Sequence, residues 1–75
     1  MGALIAYLAR AIAEEPEAIE VEEVVEGDRV VIYLHVSEED KGRIIGRDGR
    51  VANAMRSLLH VASMRAGVDA ALSID

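Results

Sequence analysis

Two glycines three residues apart, Gly46 and Gly49, divide the longest helix-like part of the sequence in two. Residues 38–45 before them follow a helix-capping sequence, and residues 50–66 after them repeat apolar side chains at helical spacing. Because glycine has no Cβ, a glycine at each end allows positive φ angles and a very tight turn. The pattern therefore predicts two helices joined by a two-residue bend, with the longer helix beginning at the bend.

Periodicity in the remaining sequence predicts one more helix and three strands. Apolar residues recur every three to four positions in the helical segments and every second position in the strands. In the first strand, Val24 and Val25 break that alternation, which is typical of a β-bulge, and a turn at residues 27–28 then makes a hairpin. The predicted elements, in chain order, are a helix over 3–14, strands over 18–25 and 29–36, helices over 38–45 and 50–66, and a strand over 68–75.

The two joined helices carry capping signals at their outer ends. Ser37 precedes three acidic residues and is predicted to be the N-cap, while Gly67 suits the left-handed residue that ends a helix. The order α-β-β-α-α-β, with one apolar face on each element, predicts an α+β fold in which helices form one layer and a sheet forms the other. The apolar stripe of the long helix comprises Val51, Met55, Leu58, Leu59 and Ala62.

Size and composition limit the possible function classes. With 75 residues and 52% hydrophobic content, we expect one domain over residues 1–75, with a modest core and no deep catalytic cavity. The chain has no cysteine, which excludes disulfides and thiolate metal sites, and no apolar run of about 20 residues that could span a bilayer. A brief signal-peptide pattern near the N-terminus lacks a preceding basic residue and is broken by Arg10, so we expect a cytoplasmic protein.

No group of residues predicts an active site or a cofactor. His35 and His60 have no carboxylate or cysteine at ligand spacing, so no metal site is expected. Ser37 has a capping position that accounts for it, and no second element places a base beside it to form a hydrolytic triad. We therefore expect a protein that is not an enzyme and that has no cofactor, no small-molecule substrate and no membrane partner.

Charge is distributed unevenly along the chain, whose formal net charge is −6. Residues 1–40 hold two basic and eleven acidic side chains, whereas residues 57–75 hold one basic and two acidic ones. Residues 41–56, called the basic segment below, have a net charge of +4. Because local potential decides where a polyanion docks, this segment predicts an anion-binding surface, although a merely solvated helix face would carry the same charges.

The glycine bend lies at the centre of the basic segment. The unpaired amides and the positive dipole end of the following helix point towards whatever covers the bend, which suits a phosphate group. Arg47 and Arg50 add cations beside it. Two glycines at this spacing also fit an ordinary corner between helices, so the pattern becomes specific only through the residues around it.

The segment Ile44-Ile45-Gly46-Arg47-Asp48-Gly49 resembles the I-I-G-x-x-G signature of the KH domain. The order α-β-β-α-α-β is similar to the type II, bacterial form of that domain, in which the sheet is mixed and three helices pack on one face. The resemblance covers residues 3–75 and extends to the KhpA family of small bacterial single-KH RNA-binding proteins. It implies binding of single-stranded RNA, with the bend clamping the backbone of about four nucleotides while bases enter an apolar groove.

Carried over position by position, the resemblance assigns RNA-binding roles to residues in and around the bend. The glycines admit the RNA backbone, the basic residues contact phosphate, and apolar residues form the groove wall, with Met55 as a further candidate. Asp48 departs from the favourable pattern, because its carboxylate opposes phosphate unless Arg50 offsets it or it turns away to cap the next helix. The expected RNA-binding residues are Lys41, Arg43, Ile45, Gly46, Arg47, Asp48, Gly49, Arg50 and Val51.

Single-stranded RNA is therefore the expected partner, bound by an RNA chaperone or post-transcriptional regulator. A competing interpretation is a KH-fold scaffold that forms a homodimer, or a heterodimer with another KH protein, and makes little direct contact with RNA. Asp48 and the acidic first forty residues favour that alternative. Candidate protein-binding surfaces are an exposed sheet edge, the strip formed by Val31, Tyr33 and His35, and the apolar residues around Val61 and Met64.

Overall fold

A computed structural model describes all 75 residues and contains three helices and three strands in the predicted order. The elements are α1 (Gly2–Ile12), β1 (Glu20–Glu26), β2 (Arg29–His35), α2 (Glu38–Ile45), α3 (Arg50–Ala66) and β3 (Asp69–Ile74). Two short 3-10 turns, Pro16–Ala18 and Arg47–Gly49, precede β1 and α3. The predicted α+β fold class is confirmed, and none of the helices has the length and apolar character needed to cross a membrane.

The sheet has the order β1-β2-β3, with β2 in the centre. Strands β1 and β2 form an antiparallel hairpin across the predicted turn at Gly27 and Asp28, whereas β2 and β3 are parallel. Parallel neighbours need a long crossover connection, and the pair of helices α2 and α3 supplies it. The sheet is therefore mixed, as expected, and the helices cover one of its faces.

The β-bulge expected at Val24 and Val25 is absent. Strands β1 and β2 pair residue for residue along their whole length, with no extra residue in either strand. Val24 lies opposite Val31 on the face turned away from the helices, and Val25 lies on the helix face yet remains 72% exposed. The prediction was wrong because it assumed that both valines must be buried. A bulge would have turned both to one face, whereas the regular strand leaves Val25 in solvent.

The core lies between the helices and the inner face of the sheet. Ile32 and Leu34 of the central strand are fully buried there. Leu59 joins them as predicted, but Leu58, expected on the same stripe, is 48% exposed because it lies about 100° around the helix from Leu59. The nine residues of the core cluster are Ile5, Ala9, Ile19, Ile32, Leu34, Ile44, Met55, Leu59 and Leu72.

Both predicted capping signals are confirmed. The Oγ of Ser37 accepts a hydrogen bond from the amide of Asp40 at 3.3 Å and caps α2. Gly67 has a left-handed φ of 71°, and its amide donates to the carbonyl of Met64, which ends α3. Helix α1 ends at Ile12, two residues earlier than predicted, because amides that follow it bind a side chain of α2 instead of continuing the helix.

Candidate nucleic-acid interface

The bend between α2 and α3 is a tight turn over Arg47–Gly49, closed by its own backbone hydrogen bonds. The Gly46 amide donates to the carbonyl of Gly42 at 2.8 Å, and the Gly49 amide donates to the carbonyl of Gly46 at 3.1 Å. Gly46, Asp48 and Gly49 have positive φ angles of 78°, 57° and 75°. Aspartate is one of the few residues with a side chain that visits this region readily, so the residue types match the turn.

The two glycines of the bend are needed for different reasons. A Cβ added to Gly46 would lie 2.5 Å from Cγ2 of Val51 and 2.9 Å from the backbone nitrogen of Val51. A Cβ added to Gly49 would have only Nδ2 of Asn53 within 4 Å, at 3.8 Å. Gly46 is therefore required by its φ angle and by its packing against the start of α3, whereas Gly49 is required by its φ angle alone.

Two of the predicted RNA-binding cations are paired within the protein. The Nζ of Lys41 lies 3.1 Å from Oε1 of Glu38, at the start of α2. The Nη2 of Arg43 lies 2.6 Å from Oε1 of Glu14, and its Nε lies 3.7 Å from Oδ1 of Asp40. These contacts draw both side chains towards the start of α2 and the connection after α1, and not towards the bend.

Arg47 and Arg50 carry the free positive charge of the bend. Both side chains are exposed, and neither has a carboxylate oxygen within 4 Å. They flank Asp48, which is also exposed and which does not adopt the helix-capping orientation considered for it: no side chain caps the N-terminus of α3. The amides of Gly49 and Arg50 donate to carbonyls of the bend itself. The amides that follow them at the start of α3 have no side-chain cap and can face an anion, with Arg47 and Arg50 nearby.

Apolar residues beside the bend form a partly open wall. Ile45, the last residue of α2, is exposed, and Val51 is half-buried against Gly46. Met55, one turn further along α3, is buried in the core cluster. The structure thus brings Ile45 and Val51 to the surface beside the bend, whereas Met55, the further candidate for the groove wall, is buried.

Sequence reasoning missed the residue that anchors α2. The carboxylate of Asp40 is buried and accepts hydrogen bonds from the backbone amides of Glu14 and Glu15, each at 3.0 Å, and from the hydroxyl of Ser37 at 3.3 Å. The hydrogen bonds from the two amides are the main reason that the pKa of Asp40 lies below its ordinary value. The nearby Arg43 guanidinium also lowers this pKa, whereas burial of the carboxylate raises it.

This contact ties the helix that carries the bend to the end of α1. Asp40 appears in the sequence only as the third acid of a capped helix, and its partner amides lie 26 and 25 positions earlier. No local pattern links segments so far apart, so the tether had no signal in the sequence alone.

A mixed three-stranded sheet, the order α-β-β-α-α-β and a Gly-x-x-Gly bend between two helices together define a type II KH domain. The family described as "KhpA/KhpB, KH domain" matches residues 2–74. The chain therefore belongs to the KhpA/KhpB KH-domain family, as its sequence predicted. This is a family of RNA-binding proteins, which confirms that the chain is not an enzyme.

Curated relatives are similar over nearly their whole length. RNA-binding protein KhpA of Caldanaerobacter subterraneus subsp. tengcongensis is 38% identical over 65 residues, which cover 87% of each chain. Its namesake from Treponema pallidum is 37% identical over 71 residues, covering 95% of this chain and 89% of the relative. The protein of the same name from Chlamydia pneumoniae is 36% identical over 75 residues, covering 99% and 95%. No solved structure matches.

Proposed function

We propose that this protein binds single-stranded RNA across the bend between α2 and α3. The observation that carries the proposal is the exposed, unpaired state of Arg47 and Arg50 beside the uncapped N-terminus of a 17-residue helix. The relatives named RNA-binding protein KhpA support the class of ligand. The net charge of −6 is compatible with RNA, because most acidic residues lie outside the basic segment and surface potentials are screened over about 10 Å.

In this proposal the RNA backbone lies over the bend. Phosphate oxygens accept hydrogen bonds from amides at the start of α3 and from the guanidinium groups of Arg47 and Arg50, whose geometry suits bidentate contacts. Open space at the missing Cβ of Gly49 lets the strand approach the protein backbone closely. Ile45 and Val51 provide an apolar wall for the unstacked bases.

Lys41 and Arg43 form the outer part of the proposed site. Lys41 pairs with Glu38 and Arg43 with Glu14 in exposed ion pairs, which contribute only about 0–1 kcal/mol each, so an RNA phosphate can compete for these contacts. Arg43 is held more firmly than Lys41, because its Nε also lies 3.7 Å from the buried carboxylate of Asp40. Asp48 opposes the same phosphate, but with Arg47 and Arg50 on either side the bend keeps a net charge of +1. Arg47 and Arg50 therefore contribute most of the proposed affinity for RNA, and Lys41 and Arg43 contribute less.

A site for about four nucleotides makes few contacts, which implies low affinity and low sequence specificity for one domain. If two to four phosphates are neutralised, log K should fall with log salt at a slope of about −1.5 to −3. Such binding suits a cytoplasmic RNA chaperone or post-transcriptional regulator, and dimerisation would raise the affinity through avidity.

Charge reversal at Arg47 tests the proposal while leaving both glycines in place. Arg47→Asp puts an acid at each variable position of the bend, and we expect at least about a tenfold loss of affinity, as one charge-assisted hydrogen bond is lost and repulsion is added. Fluorescence anisotropy with a labelled single-stranded oligonucleotide, across a salt series, measures this loss.

The matched control is Arg65→Asp, the same charge change on the last turn of α3, about 22 Å along the helix from Arg50. This variant should bind nearly as wild type does. If Arg47→Asp and wild type bind the oligonucleotide equally well, the bend has no part in RNA binding.

A stripe of exposed apolar side chains on α3 favours a second candidate function, protein pairing. Leu58, Val61 and Met64 follow one another at three-residue spacing and are 48%, 51% and 67% exposed. A contiguous apolar stripe in solvent is characteristic of an interaction surface. In this alternative the chain is a KH-fold scaffold that forms a homodimer, or a heterodimer with another KH protein, with little direct RNA contact.

Sedimentation velocity distinguishes this alternative from the leading proposal. A scaffold should sediment as a dimer in both wild-type and Arg47→Asp forms, and Val61→Glu should convert it to a monomer. A wild-type protein that stays monomeric as its concentration is raised would rule out the homodimer.

A further inference from the structure

The sheet has a second face, turned away from the helices. Ile32 and Leu34 of β2 point into the core, so the alternate residues of that strand point to the opposite side. Directly opposed residues in neighbouring strands share a face, and the register therefore identifies the whole surface. This outer sheet face consists of Glu20, Glu22, Val24 and Glu26 from β1, Arg29, Val31, Tyr33 and His35 from β2, and Asp69, Ala71 and Ser73 from β3.

An apolar row crosses the centre of the outer sheet face. Val24 lies opposite Val31, and Val31 lies opposite Ala71, so each strand contributes one apolar side chain. Tyr33 lies beside the row, two positions along β2. None of these four residues belongs to the core cluster or packs against it. The row spans two strand spacings, or about 10 Å, which is the width of one helix laid on a sheet.

Carboxylates border this row along β1. Glu20, Glu22 and Glu26 are exposed, and none of them has a cationic nitrogen within 4 Å. Glu20 and Glu22 are two positions apart, which separates them by about 7 Å along the strand. This edge therefore presents three free negative charges next to apolar surface.

The other edge of the outer sheet face is also acidic, but both of its carboxylates have partners within 4 Å. Oδ2 of Asp69 lies 3.9 Å from Nε of Arg29, and Oδ2 of Asp75 lies 3.1 Å from Nδ1 of His35. Arg29 and His35 are the only basic residues on the face. The carboxylates without partners are therefore those along β1.

The charges decide which kind of partner can cover this surface. RNA and an anionic membrane have the wrong sign, and a second copy presenting the same face would bring two sets of free glutamates together. A basic protein segment is complementary. A helix is the appropriate form, since exposed sheet faces are normally covered by another layer, and basic residues four apart on a helix are separated by about 6 Å, close to the spacing of Glu20 and Glu22.

We propose that the outer sheet face binds a basic amphipathic helix of a partner protein. Apolar side chains of that helix pack on Val24, Val31 and Ala71, and its lysines or arginines lie over the glutamates of β1. The surface is on the side of the sheet away from α2 and α3, so the bend stays free for RNA. The inference does not depend on the proposed RNA binding.

The probe is a fluorescein-labelled synthetic helical peptide with a leucine stripe flanked by lysines, titrated with the full chain in a fluorescence anisotropy assay. Glu22→Gln/Glu26→Gln should weaken binding about fivefold, the effect of losing two surface ion pairs. The matched control, Glu17→Gln/Glu39→Gln, removes the same charge at two exposed positions outside the face and should change binding less than about twofold.

Two further variants separate a specific surface from general attraction to an acidic protein. Val31→Thr keeps the shape of the strand but makes the row polar, and it should also weaken binding, whereas Arg47→Asp should not. Equal weakening by the two glutamate double variants, or no saturable binding of the peptide to wild type, would overturn the proposal.

Discussion

Replacing Gly46 by alanine is expected to destabilise the protein by about 3 kcal/mol or more. Its φ of 78° and ψ of 171° lie in a region open almost only to glycine, where another residue costs about 1–3 kcal/mol. The new Cβ would also lie 2.5 Å from Cγ2 of Val51 and 2.9 Å from the Val51 backbone nitrogen. Backbone cannot rotate aside as a side chain can, so the bend or the start of α3 must shift.

Two neighbouring glycines provide internal controls for the same chemical change. Gly49→Ala meets the left-handed φ of 75° but no close atom, and it should cost about 1–2 kcal/mol. Gly42 lies inside α2, where an added Cβ meets nothing within 4 Å, so Gly42→Ala should stabilise the helix by about 0.5–1 kcal/mol. The three variants differ only in backbone conformation and packing.

Urea unfolding followed by circular dichroism gives the free energy of unfolding of each variant. The expected order of stability is Gly42→Ala, wild type, Gly49→Ala and then Gly46→Ala. Thermal unfolding should place Gly46→Ala more than about 12 °C below wild type, since 1 kcal/mol corresponds to about 4–8 °C in a domain of this size. A Gly46→Ala protein as stable as Gly49→Ala would refute the packing of the bend against Val51.

Three further predictions concern RNA affinity and stability. Asp48→Asn retains a residue that tolerates positive φ and removes a carboxylate from beside the phosphate, so RNA affinity should rise about threefold at low salt; unchanged affinity in the anisotropy assay would contradict it. The pKa of Asp40 in the folded protein is lowered from its ordinary value of 3.8, so the ionised carboxylate stabilises the fold at pH values above 3.8. This stabilisation is lost as the pH falls below 3.8 and through the pKa of the folded state. Urea unfolding should therefore find Asp40→Asn less stable than wild type at neutral pH and nearly equal to it in acid, and a constant difference would be inconsistent with this account. Leu59→Ala should cost about 2–4 kcal/mol in the same assay, while Leu58→Ala, at an exposed position, should cost less than about 1 kcal/mol; similar losses would argue against the orientation of α3.

Local sequence signals were sufficient for the elements that hold the bend. The predicted bounds of α2 and α3 are those of the structure, because a serine cap begins one helix, a left-handed glycine ends the other, and glycines separate them. The arginines beside the bend were also found from sequence, since their positions in the turn follow from chain order. The mixed sheet followed from the resemblance to KH domains and not from periodicity.

Features that depend on how distant segments meet could not be predicted. The Asp40 carboxylate accepts hydrogen bonds from amides that follow α1, and the Arg43 guanidinium forms an ion pair with Glu14 of the same segment. The pattern of β1 indicated a bulge, whereas the actual strand pairs regularly and exposes Val25 at the edge of the sheet. Charge counting therefore identified the basic segment correctly but could not show which of its cations are free.

The most direct test of the central claim is an NMR titration of the ¹⁵N-labelled chain with a short single-stranded RNA. If RNA binds at the bend, the amide signals of residues 46–51 should show the largest saturable shifts, while those of β1 and of the last turns of α3 stay nearly unchanged. Saturable shifts that are confined to another surface and spare residues 46–51 would contradict the account.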